Sequence, residues 1–203
     1  RKYDEEESFP TDVLNKAREY GLMNFPIPEE YGGPGVDKIS HAIIIEELAR
    51  GCAGITTSLE ANSLSSYPIL VGGSEELKKK YLSRLCLDGE YASFALTEPE
   101  AGSDVMGMST SVEKVGDSYI LNGEKCFITN ASHAHFYVVL AKMKKEEAFI
   151  TMLVRLLSFE MIQRSLSVLS ANGISSSAKV NLSRLAYNAK NEYVLCNVPK
   201  NLL

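Results

Sequence analysis

Over roughly the first 90 residues, apolar side chains recur every three to four positions; beyond that point they alternate. The stretch "PTDVLNKAREYG" (10–21) sets Val13, Leu14, Ala17 and Tyr20 on one helical face, with Thr11 as candidate N-cap and Gly21 as stop. "DKISHAIIIEELARG" (37–51) repeats the grammar, Asp37 standing ahead of an apolar stripe and Gly51 after it. "SEELKKKYLSRL" (74–85) carries Glu75 and Glu76 in its first turn and Arg84 in its last, the order the helix dipole favours. Its Leu77, Tyr81 and Leu85 share a face. Between the first two helices, "GLMNFPIPEEYGGPGV" (21–36) is too rich in proline and glycine for regular structure.

The second half reads as strands. "DSYILNGEKCFI" (117–128) alternates on both sides of Asn122-Gly123, which predicts a hairpin turning there. "FYVVLAKM" (136–143) has the run of a buried strand, and "AFITMLV" (148–154) follows as another. From Leu156 onward neither period holds, and "SAKVNL" (177–182) and "EYVLCNV" (192–198) are the strand candidates. The fold class this predicts is α+β: an N-terminal helical domain over residues 1–90, then an antiparallel β domain over 91–203.

Two stretches stand out for chemistry. "FALTEPEAGSD" (94–104) opens like a strand and then gathers hydroxyls, carboxylates, a proline and a glycine. Taken alone it fits two readings about equally, a cradle for a polar or phosphate ligand or an acidic turn joining two domains. "CFITN" (126–130) sets Phe127 and Thr129 two apart, on the same side of a strand. An aromatic platform beside a hydroxyl suits a flat heteroaromatic ligand. By itself, a core phenylalanine beside a surface threonine is the simpler reading.

Composition narrows the classes. A net charge of −5, with basic runs only at 78–80 and 142–145, leaves no footprint for nucleic acid. The apolar run "HAIIIEELA" is interrupted by Glu46 and Glu47, far short of the roughly 20 residues a membrane span needs. The opening "RKYDEEESF" has no pattern of a secretory or transit signal. Cys52, Cys86, Cys126 and Cys196 form no C-x-x-C pair and read as thiols of a reducing compartment, the cytoplasm or the mitochondrial matrix. His133 and His135 in "SHAHF" lack a third metal ligand, which favours surface imidazoles and no metal site.

In combination the motifs are specific. "GLMNFPIPEEYGGPGV", "IIEELARG", "NSLSSYPILVGGSEELKKKYL", "FALTEPEAGSD" and "DSYILNGEKCFITN" stand in an order that resembles the acyl-CoA dehydrogenase family, in register from about Phe9 to Lys142. The resemblance implies a helical domain, a middle β domain and a C-terminal four-helix bundle, with FAD between the last two and an acyl-CoA thioester beside the flavin. It implies that Thr97, helped by the backbone at Leu96, hydrogen-bonds the pyrimidine edge of the flavin. Ser103 would contact the FAD pyrophosphate near the path of the thioester substrate. Phe127 would pack on the flavin, and the Thr129 hydroxyl would face N5. The implied reaction removes an α-proton by a carboxylate and a β-hydride to the flavin, and the electrons pass to an electron-transfer flavoprotein. The family is commonly homo-oligomeric through its bundle.

The chain also departs from that pattern. The family's base sits in or beside the bundle, whereas "NVPKNLL" resembles the close of the β domain, and no residue takes the base's role. Glu98 and Glu100 belong to the cofactor loop, and Asp104 reads as a turn cap. The N-terminal end looks short by about one helix. "RLLSFEMIQRSLS" replaces the expected linker, and "SRLAYNAKNEYVL" is longer than the family's pattern. Three readings follow: part of an acyl-CoA dehydrogenase, a truncated non-catalytic relative acting as a binding module, or an acyl-CoA oxidase on the same scaffold.

Overall fold

A computed structural model describes residues 2–115 and 118–143, and beyond them the backbone of strands within 149–197. The helical layer comprises α1 (Lys2–Glu5), α2 (Thr11–Glu19), α3 (Lys38–Gly72), α4 (Glu75–Leu77) and α5 (Ser83–Cys86), the last two joined by a π-helical turn at Lys78–Leu82. The strands are β1 (Ala92–Ala95), β2 (Ser111–Val115), β3 (Ser118–Asn122), β4 (Glu124–Ile128), β5 (Phe136–Met143), β6 (Phe149–Arg155), β7 (Leu166–Ser167), β8 (Ala178–Asn181), β9 (Leu185–Asn188) and β10 (Leu195–Asn197). The α+β class stands.

The predicted helices form, with local corrections. Helix α2 is capped by Pro10, so Thr11 is its first helical residue and makes no cap hydrogen bond. Leu14 and Ala17 face the core, but Tyr20 is 76% exposed because the helix ends before its ring can turn inward. Asp37 does cap α3, accepting the Ile39 and Ser40 N–H groups at 2.9 and 3.1 Å. The stripe behind it is only in part a core face: Leu48 packs on the core, but Ile39 and Ile43 are 75% and 58% exposed.

Helix α3 runs past Gly51 but breaks at Cys52, whose backbone is extended at φ −164° and ψ 109°. Its second arm buries Leu59 and Ile69, and with them Ser58, Asn62, Ser63, Ser65 and Ser66, all fully buried. Small side chains let the backbone approach closely, and the hydroxyls are satisfied on the helix itself: Ser65 donates to the Ala61 carbonyl and Ser66 to the Ser63 carbonyl, both at 2.7 Å. Asn62 ties the arm to its neighbours. It accepts the Ala92 N–H at 2.8 Å and donates to the Glu90 carbonyl and Asn24 Oδ1, both at 3.1 Å.

A shared core joins the layers. Ile27, Ile69, Tyr81, Leu82 and Leu85 pack on Ala92, Phe136 and Val138, with the Tyr81 and Phe136 rings 5.1 Å apart and edge-on. Burying side chains of this size contributes about 1.5–3 kcal/mol each.

The larger sheet has seven strands in the order β10-β6-β5-β2-β3-β9, with β1 also on β5; the smaller runs β4-β8-β7. Pairing is antiparallel except where β1 and the start of β2 lie parallel to β5. The candidate strands in "SAKVNL" and "EYVLCNV" are β8 and β10, whereas β9 falls in "SRLAYNAK", which the pattern did not mark. The replaced linker over 156–165 and the close at 198–203 lie outside the described residues.

The hairpin predicted at Asn122-Gly123 does not form. β3 pairs with β2 and β9, while β4 pairs with β8 in the other sheet. The chain crosses between sheets there, and the hairpin is β2–β3, closed at Val115↔Ser118. Glycine is required at the crossing by proximity: a Cβ on Gly123 would lie 2.3 Å from Thr110 Oγ1 and 2.7 Å from its Cα.

This gives a test. Gly123→Ala should cost about 1–3 kcal/mol through forced displacement of Thr110, while Asn122→Ala, at an exposed position, should stay within about 0.5 kcal/mol. Urea unfolding of both variants measures it. A larger loss at Asn122 would restore the hairpin.

Candidate functional site

A cleft of about 420 Å³ opens between the second arm of α3 and the ends of β1 and β4. From α3 come Thr57, Glu60, Ala61, Leu64 and Tyr67, with His41 from its first arm; Phe94, Leu96 and Thr97 line it from β1 and the turn after it, and Phe127, Ile128 and Thr129 from β4 and the turn after it. Four of the five residues singled out in the sequence meet here. The fifth, Ser103, is exposed on the same loop and does not line the cleft.

Phe127 and Thr129 reach the cleft by a route simple alternation does not describe. The register of β4 against β8 shifts between Lys125 and Ile128, and Phe127 sits at φ 57°. A bulky side chain at positive φ is a strained conformation, held only when its surroundings fix it. The irregularity buries Lys125, Cys126 and Ile128 and leaves the Phe127 ring 73% exposed. Neighbouring bonds fix both ends: the Cys126 N–H donates to the Thr97 carbonyl at 2.9 Å, and the Ser93 hydroxyl to the Thr129 carbonyl at 2.7 Å. Asn130, also at positive φ, donates to the Ser58 carbonyl of α3 at 2.8 Å.

The loop owes its shape to a buried ion pair that the sequence reading did not find. Glu98 and Lys125 are 3% and 0% exposed, and Lys125 Nζ donates to Glu98 Oε1 at 2.8 Å and to the Leu96 carbonyl at 2.7 Å. Glu98 also accepts the Ser109 N–H at 2.6 Å, the Ser109 hydroxyl at 2.8 Å and the Thr110 N–H at 3.0 Å. Burial pushes its pKa up more than any other single influence, but the bonds from Lys125, Thr110 and Ser109 together bring it down to about 2. Burial pushes Lys125 down, and Glu98 opposes that shift. Asp104 caps the following turn, as expected, accepting the Gly107 N–H at 3.2 Å.

The sequence reading also missed His41 and Glu60. A straight helix would hold residues 19 apart at about 28 Å, yet the break at Cys52 folds the arms so that His41 Nε2 and Glu60 Oε2 lie 2.9 Å apart. Burial raises the Glu60 pKa, with His41 and Ser63 working against it. The two histidines of "SHAHF" have separate partners: His133 stacks on Phe9 at 3.8 Å, and His135 Nδ1 accepts the Tyr91 N–H at 3.0 Å. Among the described residues no three metal-binding side chains converge.

The arrangement suits a flat heteroaromatic group: an exposed aromatic face, two threonine hydroxyls at its margin, and apolar walls. An isoalloxazine ring fits that donor set.

The ion pair sets an acid limit. With the Glu98 pKa at about 2 against an ordinary 4.5, its contribution is complete above pH 4.5 and is lost as pH falls through 2; alone it amounts to about 3 kcal/mol. The lowered Lys125 pKa works in the opposite sense, a cost below its folded pKa that alkali relieves, so the net value of the pair is smaller. Lys125→Met and Glu98→Gln should each cost about 3–5 kcal/mol at neutral pH, and the double variant less than either. Denaturant unfolding of the four proteins decides this. Additive losses would show that the charges are not coupled.

Comparison with known proteins agrees with the geometry. Residues 1–89 match the model of the acyl-CoA dehydrogenase N-terminal domain, and residues 93–184 that of the acyl-CoA dehydrogenase middle domain. A probable medium-chain specific acyl-CoA dehydrogenase 2, mitochondrial, of Caenorhabditis briggsae is 45% identical over 141 residues, 70% of this chain and 35% of that protein. An acyl-CoA dehydrogenase of Bacillus anthracis complexed with FAD superposes with a TM-score of 0.80 at 33% identity, covering 97% of this chain and 34% of that one. The prolyl acyl carrier protein oxidase AnaB superposes at 0.81 with 30% identity, covering 97% and 53%. The chain spans little more than a third of the length of the curated relatives it matches. With both domain models matched in order and the fold shared over nearly its whole length, this chain belongs to the acyl-CoA dehydrogenase family.

Proposed function

We propose that this chain supplies one wall of an FAD site in a longer protein that dehydrogenates an acyl-CoA thioester at its α,β bond. One observation carries the reading: the Phe127 ring, 73% exposed on strained backbone, faces a cleft that Thr97 and Thr129 also line. Such a ring is a platform for another, and each threonine offers a hydroxyl to a polar edge. FAD, when bound, supplies the acceptor for hydride leaving the thioester β-carbon.

The chain's own residues then have distinct parts. Thr97 and the Leu96 backbone would hold the pyrimidine edge, Phe127 would pack on the ring, and the Thr129 hydroxyl would face N5. Ser103, exposed on the same loop, would contact the pyrophosphate near the path of the thioester. Ala61, Leu64, Phe94 and Ile128 give the cleft apolar surface against which a ring can pack. None of the described carboxylates in the loop fits the role of base. Glu98 is buried and held ionised by its donors, and Asp104 is a turn cap. The base therefore comes from outside this loop, and the electrons go to an electron-transfer flavoprotein. Residues 1–90 and 91–203 act as two domains, and the full protein forms a homo-oligomer. Among the described residues Cys52, Cys86 and Cys126 form no disulfide, which fits the cytoplasmic or mitochondrial-matrix location proposed here. Among the described residues no helix is long and apolar enough to cross a membrane.

The likeness to an acyl carrier protein oxidase supports a second reading, transfer of the same electrons to oxygen.

FAD titrated into the isotopically labelled 203-residue chain tests the site by NMR. Amide shifts are expected at Thr97, Phe127 and Thr129, with weak affinity, and Phe127→Ala should weaken binding about tenfold through lost stacking. Shifts confined to another face, or none, would overturn the reading. After desalting, the chain should be colourless and inert toward acyl-CoA; retained flavin that bleaches with a thioester would place a base within it.

A further inference from the structure

A buried ion pair is at best near break-even for stability against apolar side chains of the same volume. This one nevertheless ties three segments together, and Lys125 spends its second bond on a main-chain carbonyl. We propose that Lys125 and Glu98 are positioning residues for the cofactor edge: the Lys125 ammonium orients and polarises the Leu96–Thr97 peptide, making the Thr97 N–H a strengthened donor to the flavin. The inference rests on the flavin reading above and extends it to residues that do not line the cleft.

The geometry gives the chain of causes. Lys125 Nζ donates to the Leu96 carbonyl at 2.7 Å, and the Cys126 N–H donates to the Thr97 carbonyl at 2.9 Å. Both carbonyls that flank the Thr97 Cα are thereby drawn toward β4. No peptide in the described chain is cis, so in the Leu96–Thr97 unit the N–H points opposite to the carbonyl, away from Lys125. A cation on the carbonyl draws electron density through the conjugated amide and leaves the N–H more positive. Hydrogen bonds linked in this way strengthen one another by about 10–30%.

Glu98 is what keeps that cation charged. Fully buried and alone, Lys125 would give up its proton, since desolvation works against the ammonium. Glu98 stays ionised because Ser109 and Thr110 bring three further donors to it. The loop at 109–110 therefore acts on the Leu96 carbonyl through two intermediaries, and neither that loop nor Glu98 or Lys125 lines the cleft.

The test separates this role from a purely structural one. In the double variant Glu98→Gln/Lys125→Met the charges vanish while volume is kept. It should melt close to the wild type, yet bind FAD about tenfold more weakly, the value of one hydrogen bond to a polar edge. Its Thr97 amide proton should move upfield while those of Phe127 and Thr129 hold. Wild-type affinity and an unmoved Thr97 amide in a folded double variant would overturn the inference alone. No FAD-induced shift in the wild type would overturn the flavin reading and the inference with it. A measurement on the wild type stands apart from the variant's folding: the Lys125 side-chain nitrogen should resonate as an ammonium coupled across the hydrogen bond to the Leu96 carbonyl. A neutral amine there would sink the proposal.

Discussion

Two charges with no access to water hold the candidate site together. Lys125 enters from β4 and Glu98 from the turn after β1, and each is buried only because the other is. Their shared bonds, with those to Leu96, Ser109 and Thr110, fasten three separate stretches of chain at one point. β4 needs such an anchor. It leaves its neighbour β3 at Gly123 and joins a different sheet, so the ladder of β3 cannot position it. The pair does so instead, and the strained Phe127 is carried along in the same segment.

The opposite wall is set by the break in α3. At Cys52 one residue adopts extended backbone, and the two arms that result bring His41 against Glu60. The second arm buries Leu59 and Ile69, but most of its buried positions are small or polar. That solution works only if each buried polar group finds a partner, because an unmade bond in the interior costs about 1–3 kcal/mol. Asn62 meets the requirement three times over, and Asn130 reaches across from the β layer to the Ser58 carbonyl. The two walls of the cleft are thus cross-linked by Asn62 and Asn130, which is how a loop can be held accurately enough to grip a ligand.

Much of this could be read from the residues. Asp37 announces a helix start because its carboxylate reaches free N–H groups whatever the rest of the fold does. "FYVVLAKM" announces a buried strand because only a central strand tolerates apolar residues on both faces. Leu96, Thr97, Phe127 and Thr129 were legible as a set, though through resemblance more than through spacing. The second arm of α3 was hidden because serine and asparagine carry no hydrophobic period and Pro68 counts as a breaker. Asn122-Gly123 misled because glycine serves close approach as well as tight turns, and sequence does not separate the two uses.

What the sequence determined by itself is therefore local: where helices begin, which strand is central, the change of period near residue 90, and a set of motifs whose order marks the family. Tertiary structure decided everything that depends on residues far apart. It decided that β3 and β4 part company, that Tyr20, Ile39 and Ile43 face outward, and that Ser103 stays out of the cleft. It also decided that Glu98, read as a ligand-loop carboxylate, is a buried partner of Lys125. The reason is one of range. Capping and periodicity act within a few residues and leave their signature there, whereas burial and charge pairing join positions 27 apart or more, and nothing in either segment names the other.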